Sequence, residues 1–381
     1  MKVMTLEPDP AYGGGSEAMA LAISRELAAR GHQIFLLHEV QGSMLPAYCE
    51  FVSGVFQRKL PGFSLRAPVE TLACAIRIGR LARKQGIDAI FSAHLGYLRI
   101  GALVRRLYGI PFCFHLGLPA LDLPRFSQWA FRWLDAGIAP SEHTLGSWDR
   151  AGWSVGKIVA VPNWVDTERF RPRDDRHALR KELGVPNHSR CIVYVGRLGH
   201  GKGIETLIRA FAHVRAKVDD ASLIIVGKFE PGYEVQLNRL MNELEEKDRQ
   251  AIISRPVSSA PEKYFACADV ACVPSSHEES FGLTLLEAMA CELPVVATTV
   301  GLFPQILGED RGDLLVAPGD HTGLAERLAW WLTHSDAAIE CGRGLRRRVK
   351  DNFGSGKSIE VYERILLGLA TPERGLSHSL T

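Results

Sequence analysis

Several features that define other protein classes are missing from this sequence of 381 residues. Its eight cysteines include no C-x-x-C pair and lie mostly in apolar runs, which indicates reduced, buried thiols rather than a disulfide framework or a zinc site. No stretch approaches the roughly 18 uncharged apolar residues of a membrane span. The opening MKVMTLEPDP lacks the apolar core of a signal peptide. We therefore expect a cytosolic protein.

Strong charge and familiar nucleotide or metal motifs are missing as well. The formal net charge is +2, which argues against a nucleic-acid partner. No Asp-x-Asp motif occurs, which weakens any interpretation based on a metal held by paired carboxylates. The N-terminal glycines do not form G-x-G-x-x-G, so they are not a dinucleotide fingerprint. We expect no metal and no cofactor.

Short β-branched runs that alternate with longer amphipathic stretches are what the sequence does contain. The runs, in chain order, are KVMTL, QIFLLH, DAIFSAH, PFCFHL and AGIAPS, then, after a polar stretch at 168–176, CIVYVG, ASLIIVG, QAIISR, DVACVPS and PVVATT. Strands that alternate with helices predict parallel sheets covered on both faces. Because the series occurs twice and the chain is too long for one ordinary core, we predict two doubly wound α/β domains.

In doubly wound folds ligands bind beyond the carboxyl ends of the strands, so the loops after strands are the informative ones. The first such loop holds Gly13, Gly14 and Gly15, followed by Ser16, which could cap the next helix. Glycines let the backbone approach a ligand closely and direct amides at an anion. A tight turn without a ligand is the other interpretation.

A second loop, YVGRLGHGKG, carries two cations between glycines. Arg197 and Lys202 follow a predicted strand, and Gly203 precedes a helix. Two cations at the end of a sheet, beside a helix N-terminus, predict a site for an anion of higher charge than one phosphate. A solvated basic loop is the alternative.

The third loop, VPSSHEESFGLTLLEAMA (273–290), places carboxylates on both sides of a helix start. Glu279 and Glu287 lie eight positions apart, and Gly282 precedes the helix. The free amides near Phe281–Thr284 suit phosphate, whereas the carboxylates suit hydroxyl donors beside it. An ordinary solvated helix residue is the alternative for Glu287.

Together these loops resemble glycosyltransferase family 4. The positions that match are the glycine loop 13–15, His115 in FCFHLGLP, the segment VPNWVDTERFRP (161–172), the pair Arg197 and Lys202, and the E-x7-E pair Glu279 and Glu287. The resemblance covers residues 1 to about 370. It implies a GT-B fold, in which two Rossmann-like domains face each other across a donor cleft. Trp164 departs from the glycine that the family usually has there.

The resemblance also implies roles for individual residues. The catalytic residues would be His115, Arg197, Lys202 and Glu279. The residues that bind the donor would be Gly14, Gly15, Arg197, Lys202, Pro256, Val257, Glu279, Ser280, Phe281, Gly282, Leu283 and Glu287. In this scheme Arg197 and Lys202 bind the diphosphate, Glu279 the sugar and Glu287 the ribose. A core histidine remains the alternative for His115, and His94 in FSAHLG is a rival with the same context.

The family's organisation implies a first domain over residues 1–162 that binds the acceptor and a second over 163–355 that binds the sugar nucleotide. A helix at 356–370 would cross back to the first domain, and 371–381 would form a tail. The segments 163–176 and 352–370 are hinge candidates.

We therefore predict a retaining, metal-independent glycosyltransferase that moves a sugar from a UDP- or GDP-sugar to a glycan, lipid-linked or small-molecule acceptor, with an α-linkage. A sugar-nucleotide epimerase of the same fold and a non-catalytic sugar-nucleotide-binding module are the alternatives. Arginines mixed with apolar and aromatic residues at 72–84, 98–109 and 123–135 further predict peripheral contact with anionic lipid at the inner face of the cytoplasmic membrane. A solvated basic face over core-facing apolar positions is the other interpretation.

Overall fold

The protein, here a computed structural model, divides into two compact units. The structure describes residues 1–11, 14–58, 68–120, 125–153 and 157–370. The first unit comprises Met1–Asn163 together with the chain from Ser355 onward, and the second comprises Trp164–Gly354. Gly13 falls outside the described residues.

The first unit is built on a parallel sheet with seven strands among its described residues, in the order β3-β2-β1-β4-β5-β6-β7. The strands are β1 Lys2–Leu6, β2 Gln33–His38, β3 Gly54–Gln57, β4 Ala89–Ser92, β5 Phe112–His115, β6 Ala136–Ala139 and β7 Ile158–Ala160. The helices between them are α1 Gly15–Ala29, α2 Leu45–Cys49, α3 Pro68–Gln85, α4 Leu98–Tyr108, α5 Arg125–Arg132 and α6 Glu142–Arg150, with a 3-10 turn at Leu95–Tyr97.

The second unit has a six-stranded parallel sheet in the order β10-β9-β8-β11-β12-β13. Its strands are β8 Arg190–Val195, β9 Ala221–Val226, β10 Ile252–Arg255, β11 Val270–Val273, β12 Val295–Thr298 and β13 Leu315–Val316. Its helices are α7 Arg176–Leu183, α8 Ile204–Arg215, α9 Tyr233–Asn242, α10 Glu246–Arg249, α11 Pro261–Cys267, α12 Leu283–Ala290, α13 Phe303–Leu307, α14 His321–Thr333 and α15 Ser335–Asn352, with a 3-10 turn at Gly312–Leu314. The last helix, α16 Ser355–Ala370, packs on α1 and β4 of the first unit.

Burial explains why these runs form strands at the centre of each unit. Every residue of β9 and β11 is buried, as is every residue of β4 and β5. Strands covered by helices on both faces bury both sets of side chains, so they show continuous apolar runs rather than alternation. The predicted α/β fold class with two doubly wound sheets is confirmed.

Both sheets reverse their strand order at one internal position. In the first sheet the reversal lies between β1 and β4, and in the second it lies between β8 and β11. In each sheet, the loops that follow the two strands at the reversal turn to opposite faces of the sheet and leave a crevice at its carboxyl edge. This topology selects the loops after β1, β4, β8 and β11 as those that can form a site.

One local prediction, the cap of the first helix, was wrong. Ser16 does not cap α1, because the helix already begins at Gly15 and its N-cap residue is Gly14. The predicted burial of the cysteines is confirmed for seven of the eight, and the exception is Cys49, which is exposed at the end of α2; all eight are free thiols. None of the helices in the described part of the chain is long and apolar enough to cross a membrane.

Candidate functional site

The loop after β8 presents the two cations of the second unit. Arg197 lies two residues beyond the end of β8, and the Tyr194 hydroxyl donates a 2.8 Å hydrogen bond to the backbone carbonyl of Arg197. The guanidinium is about half exposed, with 52% of the side chain accessible, and its Nη1 lies 3.4 Å from Glu230 Oε1. Glu230 follows β9, the neighbouring strand. Arg197 is therefore placed at the carboxyl edge and held by a contact that a stronger anion can replace.

Lys202 and Glu279 meet across the reversal point of the second sheet. The Lys202 ammonium lies 2.5 Å from Glu279 Oε1. The Ser275 hydroxyl, in the loop after β11, donates to the same oxygen at 2.7 Å. Loops from two adjacent strands thus bring together a cation and a carboxylate that are 77 positions apart in the chain.

Two helix N-termini point into the same region. Gly203 precedes α8 with φ +70°, and a Cβ there would lie 1.8 Å from the Pro274 carbonyl oxygen. Gly282 precedes α12 with φ +103°, and a Cβ there would lie 2.6 Å from the Phe303 ring. Neither N-cap glycine supplies a side-chain cap, so the first amides of both helices remain as donors for an anion.

Glu287 lies on the second turn of α12 and is half-buried. Burial raises the pKa of its carboxyl to about 8, with Arg169 lowering it and Glu262 raising it to smaller extents. Arg169 itself is paired with Glu262 at 2.9 Å. A carboxyl with this pKa is mostly protonated at neutral pH and can both donate and accept hydrogen bonds with hydroxyl groups.

The remaining predicted donor residues lie on the loops around this region. Ser280 and Phe281 are buried, and Leu283 is half-buried as the first residue of α12. Pro256 and Val257 follow β10, at the edge of the sheet, and Val257 is 40% exposed. These two lie two strands away from the β8–β11 reversal, on the side beyond Glu230.

In the first unit, two of the predicted glycines lie at the start of α1. Gly14 is the N-cap residue and Gly15 the first helical residue. A Cβ on Gly14 would lie 2.3 Å from the Glu17 carboxylate, and a Cβ on Gly117 would lie 2.4 Å from the Ser16 hydroxyl. The first turn of α1 and the loop after β5 therefore meet at the carboxyl edge of the first sheet.

The two rival histidines are placed very differently. His115 is the last residue of β5, and its ring is completely buried, with Nδ1 2.8 Å from the Tyr362 hydroxyl of α16. Burial lowers its pKa to about 4, so the ring is neutral. His94 follows β4 and is exposed, and its Nδ1 accepts a hydrogen bond from Gly96. The contact of His115 with the sugar stays a prediction, and of these two histidines it is His94 that presents its ring at the surface of the first unit.

Sequence reasoning overlooked Glu230, Ser275 and Tyr194. Glu230 lies in KFEPG after β9, and its place in a loop that follows a predicted strand could have identified it as a site residue. The Ser275 hydroxyl donates a hydrogen bond to Glu279, and the Tyr194 hydroxyl donates one to the Arg197 carbonyl oxygen. Such contacts depend on side-chain direction, which the sequence pattern does not specify.

The arrangement as a whole suits a polyhydroxylated anion. Cations and helix amides can bind a diphosphate, while the carboxyl groups of Glu279 and Glu287 can bind hydroxyl groups on either side of it. Among the described residues, no group of three or more His, Cys, Asp or Glu side chains could hold a metal ion.

Comparisons with known proteins identify the family of the chain. The model of the family described as Glycosyltransferase Family 4 matches residues 13–169, and that described as Glycosyl transferases group 1 matches residues 175–349. The chain is 26% identical over 367 residues to N-acetyl-alpha-D-glucosaminyl L-malate synthase of Bacillus anthracis, covering 92% of this chain and 93% of that protein. It is 34% identical over 192 residues to D-inositol 3-phosphate glycosyltransferase of Corynebacterium jeikeium (strain K411), covering 49% of this chain and 46% of that protein.

Solved structures match along nearly the whole chain. Anabaena Alr3699/HepE in complex with UDP-glucose aligns with a TM-score of 0.82 at 19% identity, covering 97% of this chain and 100% of that one. WaaG, a glycosyltransferase involved in lipopolysaccharide biosynthesis, aligns with a TM-score of 0.73 at 16% identity, covering 96% and 100%. At these identities the match shows the fold alone. From the family models, the relatives and the fold, the chain belongs to glycosyltransferase family 4 and has the GT-B fold.

Proposed function

We propose that this glycosyltransferase uses a UDP- or GDP-sugar as its donor and transfers the sugar with retention of the anomeric configuration, without a metal ion. The observation that carries the proposal is the convergence of Arg197, Lys202 and Glu279 with the N-terminus of α12 at the reversal point of the second sheet. The similarity to Anabaena Alr3699/HepE, whose structure was solved in complex with UDP-glucose, supports a nucleotide-sugar donor.

The chemistry follows from where charge develops. Departure of the nucleoside diphosphate builds negative charge on its β-phosphate oxygens. Arg197, Lys202 and the amides that begin α12 are preorganised donors for that charge, so they lower the barrier without a metal ion. The acceptor hydroxyl attacks from the side of the leaving group and passes its proton to the departing phosphate. An α-linked donor then gives an α-linked product.

Glu279 would bind a sugar hydroxyl rather than act as a covalent nucleophile. Its Oε1 is already occupied by Lys202 and Ser275, which hold the carboxylate beside the cation that binds the phosphate. A carboxylate so paired is a good hydrogen-bond acceptor and a weakened nucleophile. Glu287 would bind the ribose hydroxyls.

The acceptor is the less constrained partner. It would be a glycan, a lipid-linked sugar or a small metabolite bound by the first unit. The relatives named for L-malate and D-inositol 3-phosphate support a small hydroxylated acceptor, whereas WaaG, which is involved in lipopolysaccharide biosynthesis, supports a lipid-linked one.

A donor panel tests the proposal. UDP-glucose, UDP-N-acetylglucosamine and GDP-mannose would each be added to the protein, with thermal unfolding and release of nucleoside diphosphate as readouts. A bound donor raises the unfolding midpoint, and slow hydrolysis releases the diphosphate even without an acceptor. Activity should survive exhaustive EDTA treatment, and NMR should show an α-linked product. Loss of activity with EDTA that manganese restores, or a β-linked product, would contradict the mechanism.

The same panel separates the two alternatives. An epimerase would convert the sugar of the donor without releasing the diphosphate. A binding module would be stabilised by the donor and would leave it unchanged.

We also propose peripheral contact with the inner face of the cytoplasmic membrane. On α3, Arg77, Arg80, Arg83 and Lys84 are all exposed. Trp133, after α5, is 40% exposed, and the Arg106 guanidinium lies 5.5 Å from its ring centre. Exposed cations beside an exposed aromatic ring suit anionic headgroups and the interfacial layer beneath them.

Vesicle flotation tests the membrane proposal. The protein should float with vesicles that contain phosphatidylglycerol at low salt and should dissociate at high salt or from neutral phosphatidylcholine. The pair Arg77→Glu and Arg80→Glu should abolish flotation. Arg343→Glu with Arg347→Glu, two exposed arginines of α15, is the matched control and should float normally. Equal flotation of both double variants would refute a specific role for α3.

A further inference from the structure

The carboxylate of Glu279 is held from several directions at once. Its Oε1 accepts hydrogen bonds from Lys202, after β8, and from Ser275, after β11. Its backbone packs against Gly301, after β12, where a Cβ would lie 2.9 Å from the Glu279 carbonyl oxygen. Three adjacent strands therefore contribute to the position of one side chain.

Ser275 is itself held in place. It is 2% exposed, and its carbonyl oxygen accepts a 2.6 Å hydrogen bond from the hydroxyl of Thr298, which ends β12 and is 1% exposed. The backbone of Ser275 is thereby fixed beside Glu279, and from this position its hydroxyl reaches Oε1.

Both side-chain contacts converge on Oε1 of Glu279, and within the described part of the chain no hydrogen bond or ion pair is made by Oε2. The Glu279 side chain remains 21% exposed. The carboxylate is consequently oriented with one oxygen anchored and the other available to a ligand.

We propose that Ser275 is a positioning residue for sugar transfer: through its hydrogen bond to Oε1 it presents Oε2 of Glu279 to a hydroxyl group of the donor sugar. Thr298 supports it by fixing the Ser275 backbone. This proposal rests on the proposed function, since it assigns the anchored carboxylate to the sugar of a nucleotide-sugar donor. It adds a residue that does not itself touch the substrate.

Removal of the Ser275 hydroxyl should weaken only the interaction of Glu279 with the donor sugar. Without the Ser275 hydroxyl, Glu279 keeps its charge and its contact with Lys202 but can rotate about its terminal bond. A hydrogen bond to a charged group contributes enough to change a rate constant by a factor of ten or more. We expect Ser275→Ala to lower kcat/KM for donor hydrolysis roughly tenfold and to leave the Kd of the free nucleoside diphosphate within about twofold.

A double-mutant cycle with Glu279→Ala tests the route of the effect. UDP-glucose, UDP-N-acetylglucosamine and GDP-mannose hydrolysis would be followed for Ser275→Ala, Glu279→Ala and the combination. If Ser275 acts through Glu279, its loss should cost less than about twofold once Glu279 is absent. An equal cost in both backgrounds would overturn the proposal.

Further variants separate positioning from a general structural defect. Ser276→Ala removes the neighbouring hydroxyl, which lies 3.3 Å from His277 Nδ1 rather than on Glu279, and should behave like wild type. Thr298→Val should reproduce part of the Ser275→Ala loss, and Thr298→Ser should restore activity. If Ser275→Ala does not fold, the Thr298 pair carries the test, and equal activity of those two variants overturns the proposal.

The outcomes for this proposal and for the proposed function are distinct. Wild-type protein that neither binds nor hydrolyses any of the donors refutes the proposed function, and the positioning role falls with it. Wild-type activity with no difference between Ser275→Ala and Ser276→Ala refutes only the positioning role. A weakened Kd for the free nucleoside diphosphate in Ser275→Ala would also refute it, since the effect would then not be confined to the sugar.

Discussion

Replacement of Glu287 by glutamine should remove a pH-dependent loss of stability from the second unit. Burial raises the pKa of this carboxyl to about 8 in the folded protein, from an ordinary value of 4.5. The folded state therefore prefers the protonated form. As the pH rises from about 4.5 to about 8, the unfolded chain ionises first and gains stability relative to the folded state. Below that window Glu287 is protonated in both states, and above it Glu287 is ionised in both. The free energy of unfolding therefore decreases with rising pH only between these two pH values.

The magnitude follows from the size of the shift. Each pKa unit corresponds to about 1.4 kcal/mol, so the shift sets a ceiling of about 5 kcal/mol. Because the side chain is half-buried and solvent can relax around the carboxylate, we expect about 2 to 3 kcal/mol. Glu287→Gln has the same shape and no ionisable group, so this component of its stability should not change with pH. It should be more stable than wild type at pH 8.5 and nearly equal to it at pH 4.

Urea unfolding at a series of pH values between 4 and 9 measures this difference. The free energy of unfolding of wild type minus that of Glu287→Gln should become more negative through the window and then level off. Glu340→Gln, at an exposed position of α15, is the control and should parallel wild type at every pH. If Glu287→Gln and wild type keep a constant difference from pH 4 to pH 9, the carboxyl is not held neutral by burial and the reasoning is wrong.

Three further predictions concern the cations. Arg197→Ala and Lys202→Ala should each lower turnover by about 10²–10³, as for other preorganised charge-stabilising groups; a loss below tenfold in steady-state kinetics would contradict their role in leaving-group stabilisation. Glu230→Gln should tighten binding of UDP or GDP up to about fivefold, because the half-buried carboxylate 3.4 Å from Arg197 competes with the diphosphate. Calorimetry at low and high salt should show the gain shrinking with salt, and weaker binding would refute the competition. Tyr194→Phe removes the hydrogen bond to the Arg197 carbonyl and should lower turnover about threefold to tenfold, whereas an unchanged rate would show that the loop is held without it.

Much of the fold could be predicted from sequence because parallel strands covered on both faces are continuous apolar runs. The run KVMTL became β1 over Lys2–Leu6, and QIFLLH became β2 over Gln33–His38. The short strand β3, Gly54–Gln57, escaped prediction. Its burial alternates between half-buried and exposed because it lies at the edge of the sheet, so it lacks the apolar run.

The candidate site was also partly visible in the sequence. Arg197, Lys202 and Glu279 lie in glycine-containing loops after strands, Glu287 lies on the helix that begins after Gly282, and the family pattern assigns the four together. The sequence could not show that Lys202 pairs with Glu279, because that contact depends on β8 lying next to β11. Strand order is set by how helices pack across the whole sheet, and no local pattern encodes it.

The division between sequence and structure is clearest at His115 and Ser275. The sequence by itself determined the fold class, the loops that carry charge and the family, since apolar periodicity and glycine-bracketed motifs are local properties. Only the tertiary structure decided that the ring of His115 points into the core against Tyr362 and that the Ser275 hydroxyl points at Glu279. Successive side chains of a strand face opposite sides of the sheet. A residue at the end of a strand is therefore assigned to the core or to the site only when the helices on each face are in place.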